Sequence, residues 1–245
     1  MKIAFASDRS GSWEIWVSDS EGANAAQLTS FRGRHVGSPA WSPDNRRIAF
    51  DARPEGSPDI YSVNAEGGLL RRLTTDPSED TAPSWSNDGR WIYFASDRDG
   101  TQQVWRMPAD GGQPSRVTKG GGFASRESPD GKVLYFTKRR WAPGGLWRMP
   151  VDGGEETSFL DQLEPAYDRM WALTREGVYF LQHDRPPRAT ISFLSFSTRR
   201  ATSLAAVDDT NHYAPGLSVS PDGRWILYTQ IDQRNGDILL LEHIR

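Results

Sequence analysis

Residues 127–136 read ESPDGKVLYF, a polar turn followed by an apolar run that ends in an aromatic residue. Nearly the same ten residues return as WSPDNRRIAF (41–50), WSNDGRWIYF (85–94) and VSPDGRWILY (219–228). In each copy a serine opens the turn and an aspartate takes its third position, a composition typical of β-turns. The fourth position holds glycine, or Asn45 in one copy, because a tight hairpin needs a positive φ there. The stretch therefore predicts a β-hairpin that recurs along the chain.

The aromatic residues that end these runs set the period of the repeat. They are Phe5, Phe50, Phe94, Phe136, Phe180 and Tyr228. Successive members are 45, 44, 42, 44 and 48 residues apart, which is the period of a four-stranded propeller blade. A third strand follows each hairpin, at EIWV (14–17), DIYS (59–62), QVWR (103–106), GLWR (145–148) and DILL (237–240). We therefore predict an all-β fold, a six-bladed β-propeller with four-stranded blades.

The two ends of the repeat pattern are incomplete. The first copy begins on a second strand and the last stops on a third strand, so the first and last blades are predicted to lack strands. We expect a single propeller domain over residues 1–245, the C-terminal part of a longer protein. Its open sheet edges would permit edge-to-edge self-association. The predicted repeats cover residues 2–30, 37–75, 82–119, 124–161, 167–207 and 214–245.

Composition narrows the classes of partner. The chain carries ten Trp and ten Phe, too many for a disordered segment, and a net charge of −3 disfavours nucleic acid. No run of 18 apolar residues occurs, so no membrane insertion is predicted. The compartment stays open: periplasmic if the chain is part of a longer envelope or membrane-anchored protein, otherwise cytoplasmic.

The repeat resembles a known family. The pattern P-x-W-S-P-D-G, an aromatic-ended strand, I-Y/W, G-G and R-L-T is similar to the TolB-type propeller repeat, a relative of WD repeats. The final stretch, HYAPGLSVSPDGRWILYTQIDQ (212–233), resembles the C-terminal sensor propellers of bacterial winged-helix regulators or Ser/Thr kinases. The fifth repeat departs from the pattern, because Thr174–Gly177 replaces the Ser-Pro-Asp-Gly turn. The resemblance implies the fold far more specifically than it implies a function.

Motifs for catalysis and cofactor binding are absent from the sequence. It has no G-x-S-x-G elbow, P-loop, H-E-x-x-H or dinucleotide glycine pattern, and it has no cysteine. The Gly120–Gly122 run indicates a loop between blades, because no predicted helix follows it. The four histidines are scattered, and only His35 and His212 fall in loops that could share a face. We therefore predict no catalytic residue, no metal and no cofactor.

The loop between the second and third strands repeats a charge pattern. It carries an arginine in all six copies, with an aspartate close by in five. A ring of arginines on one face could bind carboxylates, but the regular aspartates favour a structural role in which each arginine pairs with its neighbour or with the next blade. This Arg/Asp loop ring comprises Asp8, Arg9, Arg53, Asp97, Arg98, Arg140, Asp184, Arg185, Asp232 and Arg234.

A binding site is expected instead in the loops that differ between blades, since function concentrates in variable loops on a rigid scaffold. The candidates are Arg32, Arg34, His35, Phe123, Arg126, Tyr167, Asp168, Arg169, His212 and Tyr213. A protein or peptide partner, or a small ligand, would bind at this loop face.

Three functions stay open from the sequence. The leading one is a non-enzymatic ligand- or protein-binding module, the sensory or interaction part of a larger regulatory protein. The second is a periplasmic TolB-like scaffold that binds an envelope partner. The third is a propeller enzyme, a lyase or lactonase, or a peptidase-gating domain, which would need convergent catalytic or metal-binding side chains.

Overall fold

A computed structural model of the chain describes residues 1–32, 35–54, 56–138, 144–160, 169–185, 188–208, 216–231 and 236–242. Every regular element within these ranges is a β-strand. Nothing in the part described forms a helix of the length and apolarity needed to cross a membrane. The strands fall into two compact units, Met1–Glu127 and Ser128–Arg245.

Each of the three sheets in the first unit has strands of five or six residues and ends in a strand of two residues. The strands of this unit are β1 (Lys2–Ser7), β2 (Glu14–Asp19), β3 (Ala26–Gln27), β4 (Val36–Trp41), β5 (Arg47–Ala52), β6 (Asp59–Asn64), β7 (Arg71–Arg72), β8 (Thr81–Trp85), β9 (Trp91–Ser96), β10 (Gln103–Pro108), β11 (Ser115–Arg116) and β12 (Phe123–Glu127). The sheets follow chain order as β1-β2-β3, β4-β5-β6-β7 and β8-β9-β10-β11, and all their pairs are antiparallel. Strand β12 packs beside β8.

The second unit repeats the same up-and-down order. Its strands are β13 (Val133–Thr137), β14 (Leu146–Pro150), β15 (Thr157–Leu160), β16 (Trp171–Leu173), β17 (Gly177–Arg185), β18 (Arg188–Ser195), β19 (Ala201–Asp208), β20 (Leu217–Val219), β21 (Trp225–Ile231) and β22 (Gly236–Glu242). Here β13, β14 and β15 pair in order, as do β16 to β19 and β20 to β22. Four-stranded antiparallel sheets of this order are propeller blades, so the prediction of an all-β propeller with four-stranded blades is confirmed. The finer prediction, six blades with incomplete ends, stays a prediction.

The repeated turn is held by one small hydrogen-bond network. Ser128 Oγ donates to Asp130 Oδ1 over 2.5 Å and accepts from the Val133 N–H over 2.9 Å. Gly131 has φ +70°, as the sequence predicts, and Asn45 takes the same conformation at +58°. The same serine–aspartate bond forms at residues 42/44, 86/88 and 220/222. Because the serine hydroxyl and a backbone N–H bind the carboxylate, the pKa of Asp88 is lowered to about 2.

Each aromatic that sets the period lies at one register position of its second strand. Phe5 pairs with Trp16, Phe50 with Tyr61, Phe94 with Trp105 and Phe136 with Trp147 on the third strand. These side chains pack between neighbouring sheets; one core cluster joins residues of β5 and β6 to residues of β8, β9 and β10. Burying a side chain of this size stabilises the fold by roughly 1.5–3 kcal/mol. The repeat period in the sequence therefore marks the buried core position of each blade.

Candidate functional site

A buried polar side chain opens the third strand of each of the first three blades and binds a threonine fifteen residues later. The pairs are Glu14–Thr29, Asp59–Thr74 and Gln103–Thr118. In each pair the threonine hydroxyl also accepts the N–H of the next third-strand residue over 2.9 Å. This strand clasp pins the fourth strand and the connection that leaves it. The sequence analysis did not identify the clasp, although the sequence shows a polar residue and a threonine fifteen residues apart in three repeats.

The first clasp positions a loop at the edge of the blade. Glu14 is fully buried, and its Oε1 accepts the backbone N–H groups of Phe31 over 2.7 Å and Arg32 over 3.1 Å. Arg32 has φ +53°, a conformation that is rare outside glycine and asparagine. Because one carboxylate oxygen accepts both N–H groups, Glu14 fixes the backbone of this loop.

Three side chains project from this region. Trp13 directly precedes Glu14 and is 38% exposed, and its ring centroid lies 6.3 Å from that of His35. Arg32 and His35 are exposed as well. We call Trp13, Arg32 and His35 the loop patch. Two of these, Arg32 and His35, are predicted site residues, and the structure links each of them to the Trp13–Glu14 pair. Trp13 itself was overlooked by the sequence reasoning, although it stands in the polar segment SGSWE.

The loop patch is tied to the charged loops of the next two blades. The His35 carbonyl accepts the Arg53 N–H over 2.9 Å, and Arg53 Nη2 lies 3.0 Å from Glu79 Oε1. The Glu79 N–H in turn donates to Asp97 Oδ1 over 2.8 Å. Asp97 therefore serves as an acceptor for a neighbouring loop.

Arg98 pairs with a carboxylate from the connection between β7 and β8. Its Nη2 donates to both oxygens of Asp80, over 2.9 and 2.8 Å, and Asp80 is fully buried. The guanidinium also lies 5.3 Å from the ring centroid of Phe94 and 4.9 Å from that of Trp105. The partner of Arg98 is thus Asp80 and not the adjacent Asp97.

Arg9 occupies the matching place in the first blade. It lies 4.9 Å from the ring of Phe5 and 5.2 Å from that of Trp16, and its Nε donates to Ser7 Oγ. Over the described ranges Arg9 makes no ion pair with Asp8. In these two blades the cation therefore covers the aromatic pair of the core. Of the Arg/Asp loop ring, Arg140, Asp232 and Arg234 lie outside the described residues, and so do the side chains of Asp184 and Arg185.

The other predicted binding residues are placed differently. Phe123 is only 1% exposed and packs with Ala82, Ala95 and Ala124 in a small core cluster, so its ring is not on a loop surface. Arg126 is exposed at the end of β12, and Arg169 is half-buried in the second unit. Arg34, Tyr167, Asp168, His212 and Tyr213 lie outside the described residues.

Among the residues that the structure describes, no three His, Cys, Asp or Glu side chains come together in a way that could hold a metal ion. The buried carboxylates have structural partners instead. Asp59, for example, receives hydrogen bonds from Thr74 and from Arg72 Nη2, the latter over 2.6 Å. Burial raises the pKa of Asp59, and the charge of Arg72 opposes that rise.

Comparison with known proteins identifies the repeat. A family model described as "TolB beta propeller domain" matches residues 1–140. A segment of 67 residues is 37% identical to a protein TolB homolog of Chlorobaculum tepidum, and it covers 27% of this chain and 15% of that protein.

Solved structures share the fold. TolB from Acinetobacter baumannii superposes with a TM-score of 0.82 at 20% identity, over 98% of this chain and 61% of that one. An oligogalacturonate lyase in complex with manganese superposes with a TM-score of 0.63 at 13% identity, over 98% of this chain and 71% of that one. At these identities the likeness concerns the fold alone, and the chain spans less than two thirds of both the Chlorobaculum tepidum homolog and the Acinetobacter baumannii TolB.

Proposed function

The chain belongs to the TolB β-propeller domain family, and from this membership we propose that it is a non-enzymatic module that binds a protein partner, the interaction part of a larger regulatory protein. We also propose that residues 1–245 form one propeller of six blades, the first and last incomplete. The six aromatic-ended second strands, from Phe5 to Tyr228, support this count.

The exposed tryptophan of the loop patch is the observation that carries the proposal. Tryptophan and arginine are enriched in the energetic centres of protein interfaces. Trp13 directly precedes the buried Glu14, and Arg32 donates its backbone N–H to the same carboxylate. Because the buried Glu14 holds the backbone of Phe31 and Arg32, the patch loses little conformational freedom when a partner binds.

A second candidate is a periplasmic TolB-like scaffold that binds an envelope partner. The similarity to the TolB homolog of Chlorobaculum tepidum and to TolB of Acinetobacter baumannii favours it. Both functions use a partner protein, so the compartment in which that partner occurs separates them.

Affinity capture tests the proposal. The immobilised protein is incubated with separate cytosolic and envelope fractions of the source organism, beside Trp13→Ala and Arg32→Ala variants. Leu69→Ala serves as the matched control, because Leu69 is 72% exposed on a different loop of the same unit. Partner proteins retained by wild type and control, and reduced about tenfold or more by the two patch variants, would support a binding module; a cost of about 1.4 kcal/mol suffices for that factor.

The fraction that supplies the partner decides between the candidates. A cytosolic partner supports the regulatory module, and an envelope partner supports the scaffold. Retention that is equal for wild type and both patch variants would refute the loop patch as the binding surface.

A further inference from the structure

The second unit contains an open cleft of about 730 Å³. It lies between strands β14 and β15 of one blade and strands β18 and β19 of the next. Three aromatic rings, two arginines and a leucine form most of its lining: Tyr135, Phe159, Phe196, Arg148, Arg199 and Leu194. Its volume falls within the roughly 300–1,000 Å³ typical of small-molecule sites.

The first unit shows how an equivalent tyrosine is satisfied. Tyr93 takes the same position in its strand as Tyr135, directly before the aromatic that pairs with the third-strand tryptophan. The Tyr93 hydroxyl donates to Glu127 Oε1 over 2.7 Å. A hydrogen bond from Arg106 also reaches Tyr93, where it opposes the rise in the pKa of the phenol that burial and Glu127 cause.

Leucine replaces this carboxylate in the second unit. Glu127 stands directly before the serine of its turn, and Leu173 stands directly before Thr174, the residue that replaces this serine in the fifth repeat. Leu173 ends β16 as Glu127 ends β12, and it packs against the cluster that contains Tyr135. Arg148, the counterpart of Arg106 after the third-strand tryptophan, is still present. The second unit therefore keeps the tyrosine and the arginine, as Tyr135 and Arg148, but has no counterpart of the Glu127 carboxylate at this repeat position.

Positive charge at the cleft has no described carboxylate as an ion-pair partner. Arg148 lies 5.3 Å from the ring centroid of Phe159, and neither Arg148 nor the exposed Arg199 forms an ion pair within the described ranges. Burial raises the pKa of the Tyr135 hydroxyl, and both guanidinium groups lower it. The charge of Asp130 acts in the same direction as burial. The site therefore has a hydroxyl and two cations in position for an anion.

The apolar part of the cleft is a cluster of three rings. Phe159 meets Tyr135 edge to face at 5.1 Å, and Phe196 lies 6.0 Å from Tyr135 and 5.9 Å from Phe159. Phe159 and Phe196 are half-buried and offer ring surface to the cleft. A further aromatic ring could pack in the offset or edge-to-face arrangement that such clusters favour.

We propose that this cleft binds a small aromatic carboxylate, with the carboxylate beside the Tyr135 hydroxyl and the ring against Phe159 and Phe196. Arg148, Arg199 and the Tyr135 hydroxyl would hold the carboxylate, since bonds between guanidinium and carboxylate are among the strongest that proteins make. The site goes beyond the proposed function, because it uses none of the loop-patch residues and needs no protein partner.

Phenylacetate is a suitable probe, and phenylacetamide is its neutral isostere. Titration followed by protein NMR should show saturable binding of phenylacetate in the millimolar range or tighter, as expected for a ligand of this size, and at least tenfold weaker binding of the amide. Arg148→Gln and the exposed Arg199→Gln should each weaken phenylacetate binding about tenfold. The matched control Arg106→Gln, in the Tyr93 site, should leave the affinity unchanged.

Leu173→Glu provides a separate test. It restores the carboxylate that the first unit already has, so the variant should close the site and abolish phenylacetate binding. Equal affinity for the acid and the amide, no saturable binding by the wild type, or unchanged binding in Arg199→Gln would each overturn the proposal. Because Arg199 lies on the surface, its variant keeps the test decisive even if Leu173→Glu does not fold.

Discussion

Gly122→Ala should destabilise the first unit strongly, although the sequence suggests only a loop of three glycines. A Cβ at residue 122 would lie 2.6 Å from Thr118 Oγ1, 2.8 Å from Val104 Cγ2 and 2.9 Å from the Val104 backbone nitrogen. The threonine hydroxyl in that group belongs to the strand clasp, where it accepts the Val104 N–H and donates to Gln103. A methyl group therefore cannot enter without moving the clasp.

The cost has two parts. Forcing an extra methyl into a packed site typically costs about 1–3 kcal/mol, and leaving one buried hydrogen-bonding group without its partner costs about 1–3 kcal/mol more. A total of about 2–6 kcal/mol should lower Tm by about 4–12 °C, at about 2 °C per kcal/mol in a chain of this length.

Thermal unfolding followed by circular dichroism measures this loss, and Gly120→Ala is the matched control. Gly120 belongs to the same run but is exposed, so its substitution should change stability by less than about 0.5 kcal/mol. If Gly122→Ala melts within about 2 °C of Gly120→Ala, the clasp does not constrain the chain at residue 122, and the argument from the close approach fails.

Three further predictions concern the turns and the ion pairs. Gly131→Val should lower the free energy of unfolding in urea by about 1–3 kcal/mol, because φ is +70° there. Asn45→Gly, at φ +58°, should be neutral or stabilising, and equal effects of the two variants would contradict the turn geometry. Arg98→Ala should cost about 3–5 kcal/mol by leaving a buried carboxylate unpaired, while Arg53→Ala, whose ion pair is about 42% exposed, should cost about 1 kcal/mol or less. The stabilisation from Asp88, whose folded pKa is about 2, is present above the unfolded value near 4 and lost as the pH falls from 4 to 2. The difference in urea midpoint between wild type and Asp88→Asn should therefore shrink over that range, and a constant difference would contradict the assignment.

The blade hairpins were predictable because their signals are local. A serine, an aspartate and a glycine within four residues determine the turn, and the hydrogen bonds of Ser128 with Asp130 and Val133 show the mechanism. The aromatic period was equally reliable, since Phe94 and its equivalents must face the neighbouring sheet whatever the loops contain.

The functional surface was less predictable because it depends on contacts between distant segments. Arg98 stands beside Asp97 in the sequence, yet its partner is Asp80 on a different connection, eighteen residues away. Phe123 follows a glycine-rich loop and was expected at a surface, but it is the first residue of an inner strand and packs in the core. Trp13 was not singled out, although its polar neighbours in SGSWE are a sequence signal, and its 38% exposure shows that it is not a core residue.

The position directly before the turn serine illustrates how a repeat protein acquires a site. In the third blade it is Trp85, whose indole donates to the Ala40 carbonyl of the preceding blade and seals the contact between sheets. In the next blade it is Glu127, which satisfies Tyr93 across the same kind of contact. In the fifth repeat it is Leu173, which can do neither. The backbone position is constant, so the chemistry between adjacent blades depends on this one side chain and on what faces it. Leu173 cannot bond to the facing tyrosine and arginine, so a bound ligand can supply the missing carboxylate. A change at a single repeat position is then enough to turn a packing contact into a binding cleft.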